Sequence, residues 1–119
     1  MARVAPSIDA YGDGGFRLDG VRHEGSLLIL RDEPRGWAVG ALADLTLADL
    51  EPVLAAGRAD VEFVLLGTGA RNALPPREVR DGLRAVGVGL EFMDTPAAAR
   101  LYNVLTAEGR RLAAALIAV

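Results

Sequence analysis

Two short apolar runs in the second half of the chain constrain its fold more than any other feature. Residues 61–66 run into Gly67-Thr68-Gly69, and residues 88–93 run into Asp94-Thr95-Pro96. Short apolar runs bounded by turn-forming residues have the length and flanks of strands in a covered sheet. Between them, Pro75-Pro76 opens a segment in which Val79, Leu83 and Val86 line one helical face until Gly87 stops it. Strands joined through a helix of this length pair in parallel by a right-handed crossover. Both polar loops then open at the same carboxyl edge of the sheet, where α/β proteins place their ligands.

The pattern continues on either side. Thr95 reads as the cap of a third helix, with Pro96 at its first position and Gly109 as its stop. Positions 97, 101, 104 and 105 form its apolar stripe, leaving Tyr102 and Asn103 on flanking faces. Residues 111–119, apolar and rich in Ala, read as a last strand. Upstream, Leu47, Leu50, Val53 and Leu54 recur at helical spacing behind Thr46 as N-cap, and Gly57 is the stop. Pro52 complicates that helix unless it begins near Asp49, which puts the proline in the tolerant first turn.

The first forty residues read as β. Residues 7–11, Phe16-Arg17-Leu18 and Val21-Arg22-His23 are short strands joined at Gly12-Asp13-Gly14-Gly15 and at Asp19-Gly20, both tight-turn signals. Ser26–Leu30 is a continuous apolar run suited to a strand buried on both faces. Residues 32–36 break it, and Trp37-Ala38-Val39 restarts it. The predicted architecture is one α+β or α/β domain over residues 1–119. It has a mixed sheet with the N-terminal β-hairpins on one side and about three helices on the other.

Composition narrows the function. A chain of 119 residues that is 51% hydrophobic and 24% charged can build one core. Its net charge of -3 argues against nucleic acid as a partner. All 13 basic residues are Arg, which reads as genome composition rather than a selected anion site. The absence of Cys excludes disulfides, zinc–thiolate sites and thiol nucleophiles. His23 is the single His, so neither a metal nor a His-based triad is indicated, and no cofactor is expected. Residues 1–6 lack the apolar core of a signal peptide. No window approaches the roughly 20 apolar residues of a membrane span. A cytoplasmic location is expected.

Four groups of residues have the chemistry to form a ligand-binding site. Gly67, Thr68 and Gly69 follow a strand, where glycines let backbone N–H groups turn toward an anion. The Lys-Ser/Thr pair of a phosphate loop is absent, and position 72 is Asn where a dinucleotide fingerprint needs Gly. The competing reading is a plain strand-ending turn. Asp94 and Thr95 suit helix capping as well as a site. Tyr102 and Asn103 lie mid-helix, where Asn is a poor helix former and needs a specific partner, a neighbouring loop or a ligand. Arg110 and Arg111 follow that helix and can fix a carboxylate, internal or foreign. For catalysis, neither Ser7 nor Ser26 sits in a nucleophile elbow, and no catalytic residue is assigned.

Taken in order, several segments resemble a known family. They are Ile8-Asp9-Ala10-Tyr11-Gly12, Gly15-Phe16 and Ser26-Leu27-Leu28, then Leu65-Leu66-Gly67-Thr68-Gly69 and Glu91-Phe92-Met93-Asp94-Thr95. Ala98, Tyr102-Asn103-Val104-Leu105 and Glu108-Gly109-Arg110-Arg111 through Leu116 complete the match. The chain is similar to the small domain shared by mitochondrial respiratory complex I assembly factor 3 proteins, an adipogenesis-associated cytosolic protein and short bacterial and archaeal proteins of unknown function. That resemblance implies a three-layer β/β/α fold and a role in complex assembly through protein partners, without known catalysis. Ala99 stands where many relatives have Cys, so any thiol role is absent here.

Two functional readings follow. One is a non-catalytic protein-binding or assembly module, with homo-oligomerisation left open. The other is a small-molecule binding protein or enzyme with a pocket between Gly67-Thr68-Gly69 and Asp94-Thr95.

Overall fold

Three two-residue turns build the first part of the fold. In the computed structural model, which describes residues 4–119, strands β1 (Ile8–Gly12), β2 (Gly15–Leu18) and β3 (Val21–Glu24) form an antiparallel sheet in that order. Met1, Ala2 and Arg3, part of the opening read above for a leader, lie outside the described residues. Asp13-Gly14 and Asp19-Gly20 join the strands with positive φ at both positions of each turn. That is the type I′ geometry whose twist matches a hairpin. Gly25, also at positive φ, carries the chain out of this sheet and into β4 (Ser26–Leu30) of a second one.

Arg31-Asp32 makes the third turn, again with both φ values positive, and leads into β5 (Glu33–Trp37). This corrects the expected break over residues 32–36: Pro34 and Gly36 lie within a strand. The reason is position. β5 is an edge strand, and edges tolerate a Pro whose nitrogen faces away from the partner.

The second sheet has the order β5-β4-β8-β6-β7, with β6 (Phe63–Gly67), β7 (Gly89–Met93) and β8 (Leu112–Leu116). It is mixed: β6 pairs in parallel with both β7 and β8, whereas β4 is antiparallel to β5 and β8. Helices α1 (Glu51–Asp60), α2 (Arg77–Ala85) and α3 (Thr95–Ala107) complete the fold. A 3-10 turn at Leu47–Leu50 precedes α1, starting at Thr46, and Pro52 falls in the first turn of α1. At Gly57 the backbone leaves helical values (φ 69°), yet the chain resumes for one more turn to Asp60.

Strand alternation divides the core into two layers. Leu28, Leu30, Val64, Leu66, Ala113 and Ala115 face Val53 of α1 with Val79 and Leu83 of α2. Leu27, Ile29, Phe63, Leu65, Ala114 and Leu116 face the small sheet, through Ile8, Phe16 and Leu18, and also α3, through Ala98, Ala99 and Tyr102. The chain is therefore a three-layer α+β domain with the mixed sheet in the middle.

Helix α3 shares the face of the small sheet, and connection handedness explains why. The β6-α2-β7 crossover moves outward, whereas the connection from β7 through α3 returns past β6 to β8. Right-handed connections in opposite directions place their helices on opposite faces. The buried side of α3 also differs from the expected stripe at 97, 101, 104 and 105. Val104 is 55% exposed, whereas Ala98, Ala99 and Tyr102 are sealed. Two alanines let the helix approach the sheet closely, and Tyr102 fills the space beside them.

Candidate functional site

The parallel pairing of β6 and β7 brings their carboxyl ends together, with Gly67 opposite Met93. The Thr68 N–H donates to the Met93 carbonyl at 2.8 Å, and the Thr68 hydroxyl donates to the Arg71 carbonyl at 2.7 Å. The Gly69 N–H donates to Thr95 Oγ1 at 3.0 Å, while the Thr95 N–H donates to the Gly69 carbonyl at 2.8 Å. The Thr95 hydroxyl in turn donates to the Ile117 carbonyl at 2.7 Å, and the Ile117 N–H reaches the Gly67 carbonyl at 3.0 Å. Three chain segments, following β6, β7 and β8, are thus laced into one knot.

Gly67 permits that knot. A Cβ there would lie 2.8 Å from Thr95 Oγ1 and 3.1 Å from the Thr95 Cα, too close for any other residue without moving the start of α3. Asp94, rather than Thr95, is the N-cap, its carboxylate accepting the Ala97 N–H at 2.9 Å. Thr95 is the first helical residue and turns its side chain inward. Both residues suit a cap by type, and only the packing against β8 decides between them.

Of the eight candidate residues, the structure brings five together: Gly67, Thr68, Gly69, Asp94 and Thr95. Their hydrogen-bonding groups engage one another or adjacent backbone. The other three lie elsewhere. Tyr102 is buried against the sheet in the layer that holds Phe16 and Leu65. Asn103 bonds the backbone of β1: its Oδ1 accepts the Ile8 N–H and its Nδ2 donates to the Ile8 carbonyl, both at 2.9 Å. One amide side chain thus imitates a strand residue at the place where β1 shifts register against β2. Asn103→Ala should lower stability by on the order of 1–3 kcal/mol, read from the urea midpoint. An unchanged midpoint would show that the Ile8 backbone finds water as an equal partner.

Arg110 sits at the opposite end of β6. Its guanidinium reaches Glu62 at 3.3 Å and stacks over the Phe63 ring at 5.2 Å. The Glu62 carboxylate also accepts the Arg111 N–H at 3.2 Å. That backbone N–H and the Arg110 guanidinium together hold the Glu62 carboxyl below the usual carboxylate range. The carboxylate that these arginines fix is internal.

One feature has no counterpart in the sequence motifs. A cleft of about 360 Å³ lies between α2 and β7, lined by Val88, Leu90 and Phe92 together with Arg80 and Arg84. Finding it requires knowing that β7 is an edge strand, and strand order is set by pairing far along the chain. Among the described residues, no cluster of His, Asp and Glu is arranged to hold a metal ion. No helix there is long and apolar enough to cross a membrane.

The family described as "Protein of unknown function (DUF498/DUF598)" matches residues 8–117. An uncharacterised protein of Rhodobacter capsulatus is 42% identical over 110 residues, covering 92% of this chain and 82% of its own length. The human NADH dehydrogenase [ubiquinone] 1 alpha subcomplex assembly factor 3 is 34% identical over 122 residues, which cover 98% of this chain but only 62% of that protein. A solved structure described as an outer membrane protein from Bartonella henselae superposes with a TM-score of 0.89 at 37% identity, over 100% of this chain and 99% of that one.

Proposed function

Because the chain belongs to the DUF498/DUF598 family of proteins of unknown function, we propose that it is a non-catalytic module that binds protein partners during assembly of a respiratory NADH dehydrogenase. One observation carries this reading. The match to the human assembly factor extends over 98% of this chain, so the whole folded unit, and not a peripheral segment, is what the two proteins share. A cytoplasmic location is part of the proposal. Cell fractionation tests it, since the Bartonella protein to which the chain is similar is described as an outer membrane protein.

The knot at the carboxyl edge supports the same reading. A small molecule seated between Gly67-Thr68-Gly69 and Asp94-Thr95 would have to displace hydrogen bonds that those loops already make to each other and to Ile117, two of them buried. The displaced groups would each need a replacement partner.

Deletion of the gene from its native host should reduce the amount of assembled NADH dehydrogenase on native gels of solubilised membranes, and re-expression should restore it. An unchanged amount of assembled complex would overturn the proposal.

A further inference from the structure

We infer that the open edge of β7 is the docking site for an extended, acidic and apolar segment of a partner protein, added to the sheet as a sixth strand. The inference rests on the partner-binding reading above and says where, and with what chemistry, binding occurs.

The two edges of the mixed sheet are unlike. β5 carries Glu33, Pro34 and Arg35, the charges and proline that discourage further pairing. β7 has no Pro and a single charge, Glu91. Leu90 and Phe92 pack partly against the layer of α1 and α2, so by alternation Glu91 points to the other face. The Gly89 N–H donates to the Glu62 carbonyl at 3.0 Å, and the Met93 carbonyl accepts the Thr68 N–H at 2.8 Å. In a parallel ladder those contacts assign residues 89, 91 and 93 to β6. The N–H and C=O of Leu90 and Phe92 are therefore directed outward, ready for one more strand.

Beside this edge lies the cleft described above, and the charged residues lining it are basic: Arg84, and Arg80, whose Nε donates to the Pro75 carbonyl at 3.1 Å. The Arg58 side chain runs close by, its Cδ 3.2 Å from where a Cβ on Gly87 would sit. The acids of α2 are turned to other partners: Glu78 accepts the Leu47 N–H at 3.4 Å, and Asp81 pairs with Arg77 at 3.6 Å. Alternate residues of an added strand would face this cleft. Apolar side chains among them would cover Leu90 and Phe92, and carboxylates would meet the arginines. A second copy of this chain fits poorly, because two-fold pairing of β7 with itself would bring two arginine rows together.

The probe is a synthetic peptide of alternating Val and Glu, titrated into isotope-labelled protein. The amide signals of Leu90 and Phe92 should shift and exchange more slowly with solvent. Arg80→Glu with Arg84→Glu should weaken binding by about tenfold, most strongly at low salt, and Leu90→Pro should abolish it. A peptide of alternating Val and Lys should bind the double variant better than the wild type. Shifts confined to other residues, equal binding of the Glu and Lys peptides, or a dimer that Leu90→Pro dissolves would each overturn the inference. The host experiment separates this failure from that of the proposed function. If deletion impairs assembly yet the folded Leu90→Pro variant restores it fully, the edge is excluded and the assembly role stands. If the peptide binds at the edge but deletion leaves assembly intact, the assembly role falls and the docking site stands.

Discussion

Thr95→Val should destabilise the domain by about 2–5 kcal/mol, although the two side chains have nearly the same shape. The Thr95 hydroxyl is completely enclosed. It accepts the Gly69 N–H at 3.0 Å and donates to the Ile117 carbonyl at 2.7 Å. Valine withdraws both partners at once from groups that water does not reach, and each such loss costs about 1–3 kcal/mol. Thr95→Ser, which keeps the hydroxyl, should retain most of the stability. The measurement is the urea midpoint of each variant, with hydrogen exchange at the Gly69 amide as the local readout. A valine variant that unfolds at the wild-type midpoint would mean that the knot contributes nothing to stability.

Phe16→Ala should cost about 3–5 kcal/mol, the range for removing a large buried aromatic side chain. Phe16 is fully buried and belongs to the layer in which Leu18 and Ile8 meet Leu27 and Ile29. It is the largest apolar side chain that the small sheet contributes to that contact, so its loss opens a cavity between two layers. Arg17, its neighbour in β2, is exposed, and Arg17→Ala should change stability by less than about 0.5 kcal/mol. Thermal unfolding of the two variants side by side decides the matter. Similar melting temperatures would exclude Phe16 as the anchor of the small sheet.

Much of the fold is legible in the sequence because its signals are local. Asp19-Gly20 writes a type I′ turn, the run at Ser26–Leu30 writes a strand covered on both faces, and the order of β6, α2 and β7 dictates that their loops meet. What escapes is what depends on distant partners. Arg31-Asp32 forms the same turn as Asp19-Gly20 without a glycine, because the pairing of β4 with β5 imposes it. An Ala-rich helix such as α3 has little contrast between its faces, so the sheet beneath it, rather than hydrophobic periodicity, selects Ala98, Ala99 and Tyr102 for burial. The candidate site behaves in the same way. Gly67, Thr68, Gly69, Asp94 and Thr95 assemble because topology places them together, whereas Arg110 is held at the far end of β6 by Glu62, a residue 48 positions earlier.

Strand β8 follows all the other described strands in the chain yet lies between β4 and β6. Synthesis from the N-terminus therefore delivers the sheet as two separate halves, with a gap where its middle belongs. β4 and β6 are buried along their whole length in the finished domain, and until β8 emerges each has an unoccupied side. Pairing across such sequence distances is slow, since the closure entropy must be met before any contact rewards it. The nascent chain thus passes through an interval in which two apolar edges are open to other chains. Ala113-Ala114-Ala115 closes both edges by entering between them, so the sheet is continuous only once β8 is in place.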